Sequence, residues 1–106
     1  MEQVVQMEIN NIPEAFTLPL RLSLISCLVR GQKTFNEIKL ITKATDGNIS
    51  VQLSKLQKWG YVESEKKIID KKMQTVYSLT SFGRDELEEY VVLLETIIRD
   101  SSLTVD

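Results

Sequence analysis

The segment Thr45-Asp46-Gly47-Asn48-Ile49-Ser50-Val51-Gln52-Leu53-Ser54-Lys55-Leu56-Gln57-Lys58-Trp59-Gly60 decides how the rest of the chain is read. Thr45 suits a helix N-cap, and Asp46 is favoured in the first turn by the helix dipole. Gly60 suits the position just past a helix end. Between them Ile49, Leu53 and Leu56 recur in a 4–3 step, which puts all three within about 40° of Ile49 on a helical wheel. Gly47, Val51, Ser54, Lys55 and Lys58 fall on the opposite face, with Asn48 and Gln52 on one flank. These side chains suit the edges of base pairs: Asn48 and Gln52 can pair bidentately with adenine, Ser50 and Ser54 with either base type, and Val51 can meet a thymine methyl. Lys55 and Lys58 suit phosphates, as does Thr45 beside the free N–H groups of the helix start.

Upstream, Thr34 and Glu37 form a T-x-x-E capping box that opens a preceding helix. Its apolar face is Phe35, Ile38 and Ile41, and it ends near Thr42. Two short helices joined by so few residues predict a helix-turn-helix. Further upstream, Pro19 suits a first helical turn. Leu18, Leu22, Ile25, Leu28 and Val29 follow at helical spacing, with Gly31 as the residue past the end. Residues 1–12 form an N-terminal segment, with a short turn opened by Pro13 after Asn10-Asn11. Downstream the period changes. Residues 61–65 and 75–79 read as strands, joined by a basic arm over residues 66–73. Residues 18–79 thus hold a helix-turn-helix plus wing, and Thr80 caps a long last helix, about Ser81 to Arg99, within residues 80–100. The tail Ser101–Asp106 is expected to fray. The predicted fold class is α+β, mostly α: one winged helix-turn-helix domain over residues 1–106 with a long C-terminal dimerisation helix.

Composition narrows the chemistry. The chain has 106 residues, 42% of them hydrophobic, one cysteine and no histidine. That rules out an internal disulfide, a Cys/His zinc site and histidine acid–base catalysis. With no Gly-rich phosphate loop either, the expectation is a non-enzyme with no cofactor and no metal. No long apolar run spans a membrane, and Met1-Glu2-Gln3 does not open a secretory signal, so a cytoplasmic setting is expected. The net charge of −2 hides an asymmetry. Residues 33–77 carry nine lysines against five acids, a surplus of four positive charges, whereas residues 78–106 carry two arginines against seven acids, a surplus of five negative charges. Such a split points to one surface that meets an anion and one that does not.

Several segments then acquire meaning together: Leu18-Pro19-Leu20-Arg21-Leu22, Thr45 to Ser50, Leu53-Ser54-Lys55-Leu56, Trp59-Gly60-Tyr61-Val62, and Thr75 to Arg84. In this order and spacing they resemble the small winged-helix transcriptional regulators of the ArsR/MarR type over about residues 13–99. The resemblance implies a homodimer that binds double-stranded operator DNA with the third helix in the major groove, and two-fold symmetry of such a dimer would call for an inverted-repeat operator. The chain departs from that type at Lys43, where the turn usually carries Gly, and at Asp70 and Met73, which replace a usual Gly and Pro near the wing tip. Lysines stand where the wing usually carries arginines, and Cys27 is alone, so thiolate metal sensing does not transfer.

Lys66, Lys67, Lys71 and Lys72 are candidates for phosphate or minor-groove contact; the rival reading is that they guard an exposed strand edge against pairing with another chain. On the last helix Leu87, Val91, Leu94 and Ile98 follow a 4–3–4 step, widened by Tyr90, Leu93 and Ile97. One edge of that stripe is expected on the domain's own core and the other, drawn from Leu87, Tyr90, Val91, Leu94, Ile97 and Ile98, on a partner subunit. Arg21 is expected to pair with a local acid, Trp59 to serve as a core or elbow residue, and Cys27 to act as a small buried hydrophobe. The function read from these features is a sequence-specific regulator, with repression by promoter occlusion as its simplest mechanism. A winged-helix module that binds protein instead of DNA is the alternative.

Overall fold

Proline at a first helical position lacks an N–H that would have no partner there, and Pro19 opens α1 (Pro19–Leu28) for that reason. The computed structural model describes residues 7–100, so the tail expected to fray and the first six residues of the N-terminal segment lie outside the described residues. Two short 3-10 turns, Ile9–Asn11 and Glu14–Phe16, precede α1, the second following Pro13. After α1 come β1 (Lys33–Thr34), α2 (Phe35–Thr42), α3 (Asp46–Lys58), β2 (Val62–Ile69), β3 (Lys72–Leu79) and α4 (Ser81–Arg99). The strands form one antiparallel sheet in the order β1-β3-β2.

The caps act where the sequence places them. Thr34 accepts from the Glu37 N–H while the Glu37 carboxylate accepts from the Thr34 N–H, closing the capping box. Those hydrogen bonds hold the Glu37 carboxyl below its usual range. Thr45 accepts from the Asn48 N–H and Thr80 from the Gly83 N–H. α3 ends in a Schellman motif: Tyr61 N–H reaches the Leu56 carbonyl, Gly60 N–H reaches the Gln57 carbonyl, and Gly60 takes φ 85°. Gly83 serves closeness instead, because a Cβ there would collide with the Tyr61 carbonyl.

Three local readings are corrected. Gly31 is not the residue past the end of α1, because Val29 is the C-cap and Gly31 lies two residues beyond it. Ile41 is exposed and only Ile38 of α2 is fully buried, because so short a helix turns one narrow edge to the core. Pairing of the wing strands runs out to Ile69↔Lys72 rather than stopping near residues 65 and 75. Asp70 and Lys71 both take left-handed φ, 51° and 67°, and such a two-residue turn matches the twist of the flanking strands, so the ladder continues to the tip. β1, which pairs Lys33 with Tyr77, was not foreseen; a two-residue strand leaves no periodicity to read.

The core lies between α1, α2, α3 and the base of the sheet. Leu24, Ile25 and Leu28 of α1 meet Ile38 of α2 and Ile49, Leu53 and Leu56 of α3, all essentially without exposed surface. Full burial of such side chains contributes about 1.5–3 kcal/mol each relative to exposure. Leu93 of α4 belongs to the same buried cluster. Among the described residues no helix is long and apolar enough to cross a membrane.

Candidate nucleic-acid interface

The turn of the helix-turn-helix is Lys43, Ala44 and Thr45. Lys43 takes φ 57° and its N–H still bonds to the Lys39 carbonyl. A left-handed lysine costs about 1–2 kcal/mol where glycine would cost little. An ion pair between Lys39 Nζ and Asp46 Oδ1, at 2.7 Å, straps the two helices across this turn.

Burial of Ile49, Leu53 and Leu56 fixes the rotation of α3 about its axis. Thr45, Asn48, Ser50, Val51, Ser54, Lys55 and Lys58 are consequently all exposed. They make one continuous surface of amide, hydroxyl, methyl and ammonium groups. Gln57 Nε2 donates to Ser64 Oγ at 2.8 Å and ties the end of α3 to β2.

Gln52 does not join that surface. Its residual exposure is 7%, and its Oε1 accepts from Arg21 Nε at 2.8 Å. The wheel held the signal: Gln52 sits about 40° from Leu56 and about 60° from Ile49, nearer the stripe than the open face. Among the described residues Arg21 pairs with no acid. Besides Gln52 it donates from Nη1 to the Glu14 carbonyl at 2.9 Å and lies over the Trp59 ring, 5.1 Å from its centroid. One guanidinium thus joins the 3-10 turn, α1, the middle of α3 and its C-cap. Trp59 serves as the expected elbow residue, partly buried against the core.

On the wing, Lys66, Lys71 and Lys72 are exposed. Lys67 is half-buried, held by Glu65 at 3.1 Å and by Gln32 Oε1 at 3.0 Å, which leaves it less free to reach an anion. A groove of about 300 Å³ separates the wing from the helix-turn-helix, lined by Phe35, Asn36, Ser50, Met73, Gln74, Thr75 and Tyr77. Ser50 of α3 and the wing therefore face one shared space. Asn36 and Thr75 were not foreseen there, because only tertiary packing brings the start of α2 against β3.

α4 carries a different surface. Leu87, Tyr90 and Ile97 are half-buried against the chain's own core, Tyr90 stacked on Phe16 at 4.8 Å. Val91, Leu94 and Ile98 stay exposed at 43%, 42% and 84%. Asp85, Glu88 and Glu89 lie on the same helix. The Tyr61 hydroxyl points to Glu86 Oε2 at 3.5 Å, and burial together with that carboxylate pushes the phenol up to about 12. Cys27 is partly buried in α1, and burial raises its thiol despite the charge of Lys33, as suits an inert packing residue.

The sequence profile of the winged helix DNA-binding domain matches residues 20–98. An uncharacterized protein of Methanocaldococcus jannaschii is 35% identical over 57 residues, 54% of this chain, and the match spans 62% of that relative's length. The transcriptional regulator homologue of Pyrococcus horikoshii superposes with a TM-score of 0.68 at 30% identity, covering 76% of this chain and 81% of that one. The transcriptional repressor BigR of Xylella fastidiosa superposes with a TM-score of 0.61 at 26% identity, covering 74% and 79%. The profile takes in the helix-turn-helix, the wing and nearly all of α4, and the chain belongs to the winged helix DNA-binding domain family.

Proposed function

We propose that the chain is a homodimeric, sequence-specific transcriptional regulator that reads the major groove with α3 and holds the backbone or minor groove with the wing. The observation that carries this reading is the exposed α3 face of Asn48, Ser50, Val51, Ser54, Lys55 and Lys58, set beside the exposed wing lysines 66, 71 and 72. Asn48 and the serines suit base edges, and the lysines suit phosphates. Val91, Leu94 and Ile98 form the subunit contact, since apolar area left in water by the monomer is covered by association. The acidic α4 then faces away from the duplex. A two-fold dimer sets its α3 helices one DNA turn apart, about 34 Å, and calls for an inverted repeat. Repression by promoter occlusion is the simplest mode, and the Xylella fastidiosa relative is a repressor. With DNA as partner, the place of work is the cytoplasm.

The test is selection from a random DNA pool, followed by binding isotherms from about 50 to 200 mM salt. A dimer touching about 6–10 phosphates gives a slope of log affinity against log salt near −5 to −9. Lys71→Ala with Lys72→Ala flattens that slope by up to about 1 per contacting lysine and leaves the preferred sequence unchanged. Absence of binding to any duplex at the lowest salt rejects the regulator reading and leaves the protein-interaction module.

A further inference from the structure

The wing ends in two apolar side chains that stand largely in water among the described residues. Ile68 is 72% exposed and Met73 64% exposed, and the two are direct cross-strand partners on one face of the hairpin. β2 is an edge strand, where an exposed isoleucine invites aggregation, so its presence there calls for a use. Two positions away on the same face is Lys66, and Lys71 and Lys72 border the tip. The pair is therefore an apolar point in a cationic collar. Met73 also lines the groove that it shares with Ser50 of α3, so the tip and the exposed face of α3 address the same space. From the buried Val62 to Ile68 the strand advances six residues, or about 20 Å at ~3.4 Å per residue. Major and minor grooves on one side of a duplex are about half a turn apart, or about 17 Å. The wing is long enough to cross one backbone and enter the neighbouring minor groove.

We infer that Ile68 and Met73 form a wedge that enters the minor groove, partly unstacks one base step and kinks the bound DNA. The inference rests on the regulator reading and deepens it. Lysine side chains at the collar hold the two flanking phosphate strands, while the apolar pair meets the stacked bases, which lysine alone does not displace. Wedges of isoleucine or methionine in the minor groove kink duplexes by about 20–90°. Pyrimidine–purine steps unstack with least cost, so such a step is favoured at one fixed distance outside each half-site, at a position no side chain reads.

The probe is the tightest duplex from the random-pool selection, about 30 base pairs long, with donor and acceptor dyes at its two ends. Energy transfer reports bending and anisotropy reports binding. The expected result is increased transfer on binding of the wild type. Ile68→Thr with Met73→Thr keeps β-forming residues at the tip and is expected to bind without the increase. Selection repeated with that variant loses the preference for a pyrimidine–purine step outside the half-site and keeps the half-site itself. Lys71→Ala with Lys72→Ala weakens binding but still bends at saturation. A bound duplex that stays straight with wild type, or bends equally with the Thr variant, overturns the wedge and leaves the regulator reading standing. Failure of the wild type to bind any duplex overturns both. Sedimentation with phosphatidylserine-containing vesicles that the Thr variant abolishes, together with a straight duplex, reassigns the tip to a membrane surface and overturns the wedge.

Discussion

α3 and α4 both carry a heptad-like apolar stripe, and the two stripes meet different fates. Ile49, Leu53 and Leu56 of α3 are wholly buried, while on α4 Leu93 alone is, and Val91, Leu94 and Ile98 remain in water. α3 packs on α1 and β2 through its stripe, so its outward chemistry, Val51 apart, is hydrogen bonding and charge. α4 packs along one edge only, so its outward chemistry is partly apolar. By the hydrophobic effect the first arrangement suits a hydrated, charged partner and the second a protein surface. The same kind of local pattern thus serves two purposes, and the neighbours decide which.

The contrast is broken most directly at its buried end. Leu53→Ala removes a fully buried core side chain and is expected to cost about 2–5 kcal/mol in chemical denaturation, with the folded state still cooperative. Charge on the open stripe acts on assembly instead. Leu94→Glu with Ile98→Glu is expected to convert a dimer to monomer in light scattering at micromolar concentration, or to unfold the chain if folding requires association. A wild type that is already monomeric there removes the proposed role of this face.

Asn48 and Gln52, one turn apart on α3, separate the open surface from the closed flank. Gln52→Ala leaves the Arg21 Nε–H without its partner in a partly buried setting and is expected to cost about 1 kcal/mol of stability. Asn48→Ala, on the exposed surface, is expected to leave stability within about 0.5 kcal/mol. It should instead relax the preference at one base pair per half-site by about 1–3 kcal/mol, read by competition binding. Equal stability losses for the two variants would mean that α3 is rotated from its observed setting. The smallest effect lies where the two helices meet. Tyr61, in the C-terminal cap of α3, touches Glu86 of α4, and its phenol is raised from the usual value near 10 to about 12. A raised tyrosine favours the folded state fully below pH about 10, and that stability is lost as pH rises towards 12. Tyr61→Phe should remove part of this alkaline loss in pH titration of thermal stability, and Tyr77, also raised by burial, keeps the remainder.

Much of the candidate site was legible because its signals are local. The open face of α3 follows from three apolar residues and a cap, and only Gln52 was misplaced. Its partner Arg21 comes from 31 residues away, a contact that no periodicity within α3 encodes. A Lys-Lys-rich stretch looks like loop, so the sequence predicts wing strands shorter than those observed. The turn residues, Asp70 and Lys71, lack the Asn-Gly signature of the left-handed conformation they adopt. Ile68 and Met73 therefore look like parts of a basic arm in the sequence, and only the strand register makes them a paired apolar tip.

Sequence alone determined the caps at Thr34, Thr45 and Thr80, the stop at Gly60, the bounds of α4, the stripe of α3 and the separation of a basic middle from an acidic end. Each of these acts within a turn or two of its own residue, through backbone hydrogen bonds, side-chain spacing or charge. The tertiary structure decided which flank of α3 is closed by Arg21, which α4 residues stay in water, and that Met73 shares a groove with Ser50. Those outcomes depend on surfaces contributed by distant segments, because burial is a property of what arrives opposite a side chain rather than of the side chain itself.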